Sequence, residues 1–128
     1  MKIAFAGLRH GRIFVLYDMA RKNPLFEVTG AFEEDRDARQ AAEMRGIDCV
    51  YETFDALLAD PAVEAVALGG CYADRGGMAI KALQAGKHVI ADKPLCTSLE
   101  ELDAIEALAK AKGLFVSCMF TMRFEKKI

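Results

Sequence analysis

The hydrophobic period of this sequence changes repeatedly along its length, and that alternation limits the folds open to it more than any other feature. Lys2-Ile3-Ala4-Phe5-Ala6 is a short apolar run that reads as a buried strand, and Gly7 to Gly11 reads as a turn. Ile13, Leu16, Tyr17 and Ala20 then recur at helical spacing. The same unit repeats. Pro24 closes the helix, residues 26–32 form a second strand, and Asp35 caps a helix carrying Ala38, Ala41, Ala42 and Met44 that Gly46 ends in a left-handed conformation. A short third strand is predicted at 49–51. A brief helix follows from Thr53, with Phe54, Leu57 and Leu58, stopped at Asp60-Pro61, and a fourth strand lies at 63–68. Asp74 is predicted to open a helix with Met78, Ala79 and Leu83 that closes at Gly86, before a fifth strand at 88–91. Ser98-Leu99-Glu100-Glu101 fits a capping box, in which the serine oxygen takes an orphan amide and Glu101 reaches back to the serine amide. Leu102, Ile105, Leu108 and Ala109 carry that helix to Gly113, and residues 114–120 give a sixth strand.

Strands alternating with helices make βαβ units, whose right-handed crossovers bury a parallel sheet on both faces. The expected fold is α/β: a doubly wound, parallel, six-stranded sheet in the order 3-2-1-4-5-6. A chain of 128 residues is one domain, long enough to bury a core unaided. The charges, 17 Lys and Arg against 19 Asp and Glu, leave no general footprint for nucleic acid or an anionic membrane, so any phosphate must be recognised locally. No stretch is long and apolar enough for a membrane helix or signal peptide, and the expected compartment is the cytoplasm. Cys49, Cys71, Cys96 and Cys118 lie far apart with no second ligand nearby, so no metal site is expected. Zincin, serine-hydrolase and P-loop motifs do not occur.

In such sheets ligands bind beyond the carboxyl ends of the strands where strand order reverses, here between the first and fourth predicted strands. The candidate cofactor contacts are therefore Gly7, Leu8, Arg9, His10 and Gly11 in the first turn, Glu33 after the second strand, Gly70 and Cys71 after the fourth, and Asp92 and Pro94 after the fifth. The first turn is poor in glycine beside the dinucleotide fingerprint G-x-G-x-x-G. Gly7 suits a sharp turn and Gly11 a close helix start, but Arg9 stands where a glycine normally lets backbone approach a pyrophosphate. Its guanidinium can donate to phosphate instead, alongside the free amides of the helix N-terminus, or the turn can be an ordinary one with Arg9 and His10 solvated. Glu33, 26 positions after Gly7, is placed to accept from an adenosine ribose, which slightly favours NAD over NADP. Glu33-Glu34-Asp35 is equally what a solvated helix start looks like, and Arg36 softens repulsion toward a 2′-phosphate. In Asp92-Lys93-Pro94, proline holds Lys93 out of helical geometry, with a cis bond an option, so that a partly buried ammonium is aimed at the cleft and can exchange protons with a hydroxyl. A surface turn is the plain alternative.

Gly86-Lys87-His88-Val89-Ile90-Ala91-Asp92-Lys93-Pro94-Leu95 resembles the G-K-H-V-x-x-E-K-P segment of the glucose-fructose oxidoreductase, inositol dehydrogenase and MocA family. Met78-Ala79-Ile80-Lys81-Ala82-Leu83-Gln84-Ala85 upstream and Ser98-Leu99-Glu100-Glu101 downstream resemble its neighbouring helices. The resemblance implies a Rossmann domain binding NAD or NADP, with Lys93 at the position of the catalytic lysine that assists proton transfer during alcohol oxidation or carbonyl reduction. Asp92 replaces the usual glutamate. Gly70-Cys71-Tyr72-Ala73-Asp74-Arg75 stands where many members show T-P-x-x-x-H, so Arg75 takes the histidine's place.

Family members continue into a second α/β domain that binds substrate. The expected organisation is thus a dinucleotide-binding domain at 1–121 and, at 122–128, a charged tail that begins the absent substrate domain. The leading reading is the nucleotide-binding part of an oxidoreductase acting on a sugar- or polyol-like hydroxyl or carbonyl compound, inactive in isolation. A small polar substrate is expected only with the further domain, and exposed apolar surface suggests a homo-oligomer. The alternative is a non-enzymatic interaction or dimerisation module with weak or lost nucleotide binding. A small methyltransferase shares the acid after the second strand but gives Asp92-Lys93-Pro94 no role.

Overall fold

The computed structural model describes residues 1–9 and 11–119. Five strands, β1 (Lys2–Ala6), β2 (Glu27–Phe32), β3 (Ala65–Leu68), β4 (His88–Asp92) and β5 (Val116–Met119), form one parallel sheet in the order β2-β1-β3-β4-β5. The helices are α1 (Gly11–Lys22), α2 (Arg36–Met44), α3 (Phe54–Ala59), α4 (Tyr72–Gln84) and α5 (Leu99–Lys112).

Side-chain alternation along each strand assigns the two faces. Ile3 and Phe5 of β1, with Ala65 and Ala67 of β3, pack against Ile13, Tyr17 and Ala20 of α1 and Ala42 of α2. Ala4, Ala6, Val66 and Leu68 face the other way, onto Leu57 of α3, Ala79 and Leu83 of α4 and Ile105 of α5. Leu57 and Leu83 are fully buried, so truncation of either to alanine costs about 2–5 kcal/mol.

Among the described residues the sheet has five strands where six were expected. Residues 48–51 do run beside β2: the Ala31 amide donates to the Asp48 carbonyl (3.0 Å) and the Tyr51 amide to the Ala31 carbonyl (3.2 Å). In a regular parallel ladder, the two partners of one residue lie two positions apart; here they lie three apart, so an extra residue breaks the pairing. β2 is itself irregular at this level. Its register against β1 jumps from Val28 to Gly30, Gly30 adopts φ +149°, and Val50 lies over it where a Cβ would go.

Local end signals form largely as the chain's chemistry dictates. Asp35 accepts from the Ala38 amide at the start of α2, Thr53 from that of Ala56 at α3, and Ser98 from that of Glu101 at α5. Glu101 reaches back one residue further than a capping box requires, accepting from the Thr97 amide at 3.3 Å. α4 starts at Tyr72, two residues before Asp74, with Cys71 as its cap. Gly86 (φ +81°) ends it, the Lys87 ammonium then donates to the carbonyls of Asp60 (3.0 Å) and Val63 (2.7 Å), and His88 Nδ1 accepts from the Phe115 amide (3.1 Å). These three residues join helix, sheet and neighbouring strand. The predicted sixth strand appears as β5; Phe120, the domain boundary at 121 and the tail at 122–128 lie outside the described residues. Among the described residues no helix is long and apolar enough to cross a membrane.

Candidate cofactor site

α1 leaves β1 toward β2 on one face of the sheet, whereas α4 leaves β3 toward β4 on the other. The β1–α1 and β3–α4 turns therefore diverge, and a crevice opens between them at the carboxyl ends of the strands. Below it the two turns touch through backbone. Gly7 adopts φ +87°, and a Cβ there would lie 2.3 Å from the Gly70 nitrogen and 2.5 Å from its Cα. The Gly7 amide donates to the Phe32 carbonyl (2.9 Å), that of Gly69 to Ala6 (2.9 Å) and that of Arg9 to Gly69 (3.3 Å).

Counted from Gly7, the fingerprint glycines fall at positions 7, 9 and 12, and two of the three are arginines. Arg9 turns toward β2 and α4: its Nε lies 3.2 Å from Glu33 Oε2, its Nη2 3.6 Å from Glu34 Oε1, and its Nη1 donates to Cys71 Sγ at 2.9 Å. Burial works to lower the Arg9 pKa, but Glu33 and its neighbours outweigh it and hold the guanidinium charged. Arg12 turns the opposite way, its Nε 3.1 Å from Asp92 Oδ1. Gly11 does not serve close packing as the sequence suggested, since a Cβ there would meet nothing within 4 Å. Gly11 is exposed at the start of α1. His10 lies outside the described residues.

Glu33 is 1 % exposed, not open to solvent as a ribose acceptor is expected to be. Its Oε1 accepts from the Leu8 amide (2.7 Å), and its Oε2 from the Asp35 amide (2.8 Å) and Arg9 Nε. Its carbonyl takes two bonds from Arg39. A carboxylate beside turn amides with no helical partner folds onto them, because charge-assisted bonds to backbone amides satisfy both sides. Glu34, 68 % exposed, instead lines a cavity of about 420 Å³ with Phe32, Phe54, Asp74, Lys81 and Glu101.

β4 ends in Asp92, fully buried, and the chain turns out through a cis Lys93–Pro94 bond. Lys93 and Pro94 are exposed, not partly buried as the sequence suggested, because this segment leaves the sheet at its open end. Beneath them lies a residue the sequence reading did not place in the site. Arg75, 0 % exposed, donates Nε to the Gly70 carbonyl (3.0 Å) and Nη1 to the carbonyls of Asp92 (2.9 Å), Lys93 (2.8 Å) and Pro94 (3.3 Å). Its Nη2 is 3.8 Å from Asp92 Oδ2, so the carboxylate sits between two guanidiniums. The signal that could have found it is its spacing. Arg75, Ala79, Ala82 and Leu83 share one helical stripe, and a charge within an apolar stripe marks a buried polar task. Among the described residues no cluster of His, Cys, Asp or Glu could hold a metal.

A parallel sheet carrying such a crevice is the architecture of a doubly wound, Rossmann-like α/β domain. Residues 1–120 match the GFO_IDH_MocA family, described as an oxidoreductase family with an NAD-binding Rossmann fold, and the chain belongs to that family. It is 35% identical over 88 residues to scyllo-inositol 2-dehydrogenase (NAD(+)) of Bacillus subtilis, covering 69% of this chain and 26% of that protein. It is 28% identical over 114 residues to trans-1,2-dihydrobenzene-1,2-diol dehydrogenase of Oryctolagus cuniculus, covering 89% and 35%. Among solved structures, an NAD-binding protein from Listeria innocua superposes with a TM-score of 0.88 at 30% identity, over 98% of this chain and 37% of that one. KijD10, a 3-ketoreductase from Actinomadura kijaniata solved with TDP-benzene and NADP, gives 0.85 at 26%, over 99% and 40%. The chain thus spans roughly a quarter to a third of the length of these curated relatives.

Proposed function

We propose that this domain binds NAD in preference to NADP and that Lys93 serves as the proton-transferring group of an oxidoreductase acting on a small polar hydroxyl or carbonyl compound, sugar- or polyol-like. The observation that carries this reading is the convergence at one crevice of the Gly7–Gly70 backbone contact, the exposed start of α1 at Gly11 and the Lys93 segment. The residues fit a dinucleotide: the lack of a side chain at Gly7 lets the β1–α1 and β3–α4 turns close together beneath the crevice, and Gly11 at the start of α1 is exposed.

Gly7, Leu8, Arg9, His10 and Gly11 would hold the pyrophosphate, with the α1 amides and the guanidiniums of Arg9 and Arg12 offsetting its charge. Gly70 and Cys71 would flank it from the β3–α4 turn, and Asp92 and Pro94 would shape the nicotinamide end. The adenosine half is assigned to the 420 Å³ cavity between β2 and α4. Glu33 shapes the first turn from below, and the ribose hydroxyls fall to this acidic corner. Glu34, Asp74 and Glu101 line the cavity with Lys81 as the one cation among its lining residues, a setting that repels a 2′-phosphate and favours NAD. When bound, the cofactor supplies the hydride chemistry. Lys93 contributes its side-chain nitrogen at the crevice: as the ammonium it gives a proton to the substrate oxygen in carbonyl reduction, and as the neutral amine it takes the hydroxyl proton in alcohol oxidation.

Selecting the substrate and closing the site against water fall to residues outside this domain, so the domain alone is expected to bind cofactor with little turnover. Self-association would draw on the exposed apolar side chains Leu99, Leu102 and Phe115. The free thiols of Cys49, Cys71, Cys96 and Cys118 suit a reducing compartment, the cytoplasm. Calorimetric titration with NAD+, NADH, NADP+ and NADPH tests the assignment. Binding of NAD(H) tighter than NADP(H) is expected; no binding of any of the four below about 1 mM, or about −4 kcal/mol, refutes it and leaves the interaction module.

A further inference from the structure

We propose that Arg75 is the positioning residue for Lys93, an inference that rests on the reading of Lys93 as the group working beside the cofactor. The argument is geometric. Arg75 Nη1 donates to three consecutive carbonyls, those of Asp92 (2.9 Å), Lys93 (2.8 Å) and Pro94 (3.3 Å). The first two belong to the peptide units on either side of the Lys93 Cα. Holding both planes fixes φ and ψ at Lys93 and, with them, the direction of its Cα–Cβ bond. The ammonium is then free only in its own side-chain torsions, although Lys93 itself is exposed.

The same guanidinium ties this segment to the cofactor turn. Arg75 Nε donates to the carbonyl of Gly70 (3.0 Å), whose backbone abuts Gly7. Lys93 is thereby held in register with the crevice through one rigid planar group. The β4 terminus has its own brace, since Arg12 reaches Asp92 from the first turn of α1. A role confined to packing would not call for an arginine. The position lies on the stripe of α4 that otherwise carries Ala79, Ala82 and Leu83, where an apolar side chain avoids the desolvation of a charge. Lysine cannot substitute, because a single ammonium on a flexible stem does not hold the fixed fork geometry that serves Gly70 on one side and the Lys93 segment on the other.

The test uses Arg75→Lys, Arg75→His and Arg75→Ala in the whole chain. It follows NADH affinity by fluorescence and the rate at which an amine-acylating reagent modifies Lys93, read by mass spectrometry with and without NADH. In the native chain saturating NADH is expected to slow acylation of Lys93 by about tenfold, and Arg75→Lys, brought to the same NADH occupancy, is expected to lose most of that protection. Methylguanidinium, and not sodium chloride at equal concentration, should restore protection to Arg75→Ala. Native protection in an Arg75→Lys chain that still binds NADH overturns this inference alone; absence of NADH binding by the native chain overturns the cofactor reading and this inference with it. Should the variants fail to fold, the native chain decides. Its Arg75 side-chain hydrogens should exchange far more slowly than those of exposed Arg36, and equal rates refute the clamp.

Discussion

Replacing Gly7 by alanine tests the backbone contact on which the crevice is built. The new Cβ would lie 2.3 Å from the Gly70 nitrogen, 2.5 Å from its Cα and 2.9 Å from the Gly69 carbonyl carbon, all main-chain atoms that no rotamer change can remove. Relief requires the β1–α1 and β3–α4 turns to part by about 1 Å, judged against an ordinary carbon contact of about 3.5 Å. Residue 7 must also keep φ +87°, which costs an alanine about 1–2 kcal/mol. Parting the turns stretches the bonds Arg9 N to Gly69 O and Gly69 N to Ala6 O, each worth about 1 kcal/mol. The expected loss is about 3–4 kcal/mol, a large share of a typical 5–15 kcal/mol. At about 4 °C per kcal/mol for a chain of this size, Tm falls by roughly 12–16 °C. Thermal and urea unfolding give the stability change, and NADH titration of the still-folded fraction gives the loss of affinity. Gly11→Ala is the control: a Cβ there meets nothing within 4 Å, so it should leave stability unchanged or raise it by up to about 1 kcal/mol. A Gly7→Ala chain within about 0.5 kcal/mol of native would refute the account of the turn.

Two further outcomes follow from side chains at the cavity and at the end of α3. Glu34→Arg should move cofactor preference toward NADP(H) by about tenfold, or ~1.4 kcal/mol, in competitive titration, and an unchanged ratio would remove the acidic corner as the source of NAD preference. Asp60 accepts from the Ala62 amide (2.9 Å) and from the Tyr51 hydroxyl (2.8 Å), and in that order these bonds hold its carboxyl below the ordinary value. Its contribution to stability is therefore fully present above the ordinary carboxylate pKa, about 4, and is lost as pH falls through the lowered one. Asp60→Asn should flatten the acid limb of a plot of urea midpoint against pH, and an unaltered limb would contradict the assignment.

The parts of the fold legible from sequence are those whose cause is local. Asp35, Thr53 and Ser98 cap helices because each sits beside the amides it satisfies, and Gly46, Gly86 and Gly113 end theirs at positive φ. The strand expected at 49–51 failed for a reason spread over two segments. Its β-forming residues are present, but the partner strand is bulged at Thr29-Gly30 and the pairing slips by one residue. The site shows the same division. Lys93 and Gly7 announce themselves through proline and glycine. The use made of Glu33 depends on the Leu8 amide, which lies 25 residues away in sequence, and that of Arg75 on carbonyls 17 to 19 residues away. No local pattern signals either partnership, although the charge within the apolar stripe of α4 marks Arg75 as unusual.

Gly86, Lys87 and His88 open the stretch by which this chain resembles its relatives, and none of the three faces the crevice. One turns the chain, one fastens it under the neighbouring strand and one steadies the strand beyond. That opening part of the signature is carpentry: it sets a joint in this framework at the end of the strands away from the crevice, and leaves the chemistry to the residues that follow.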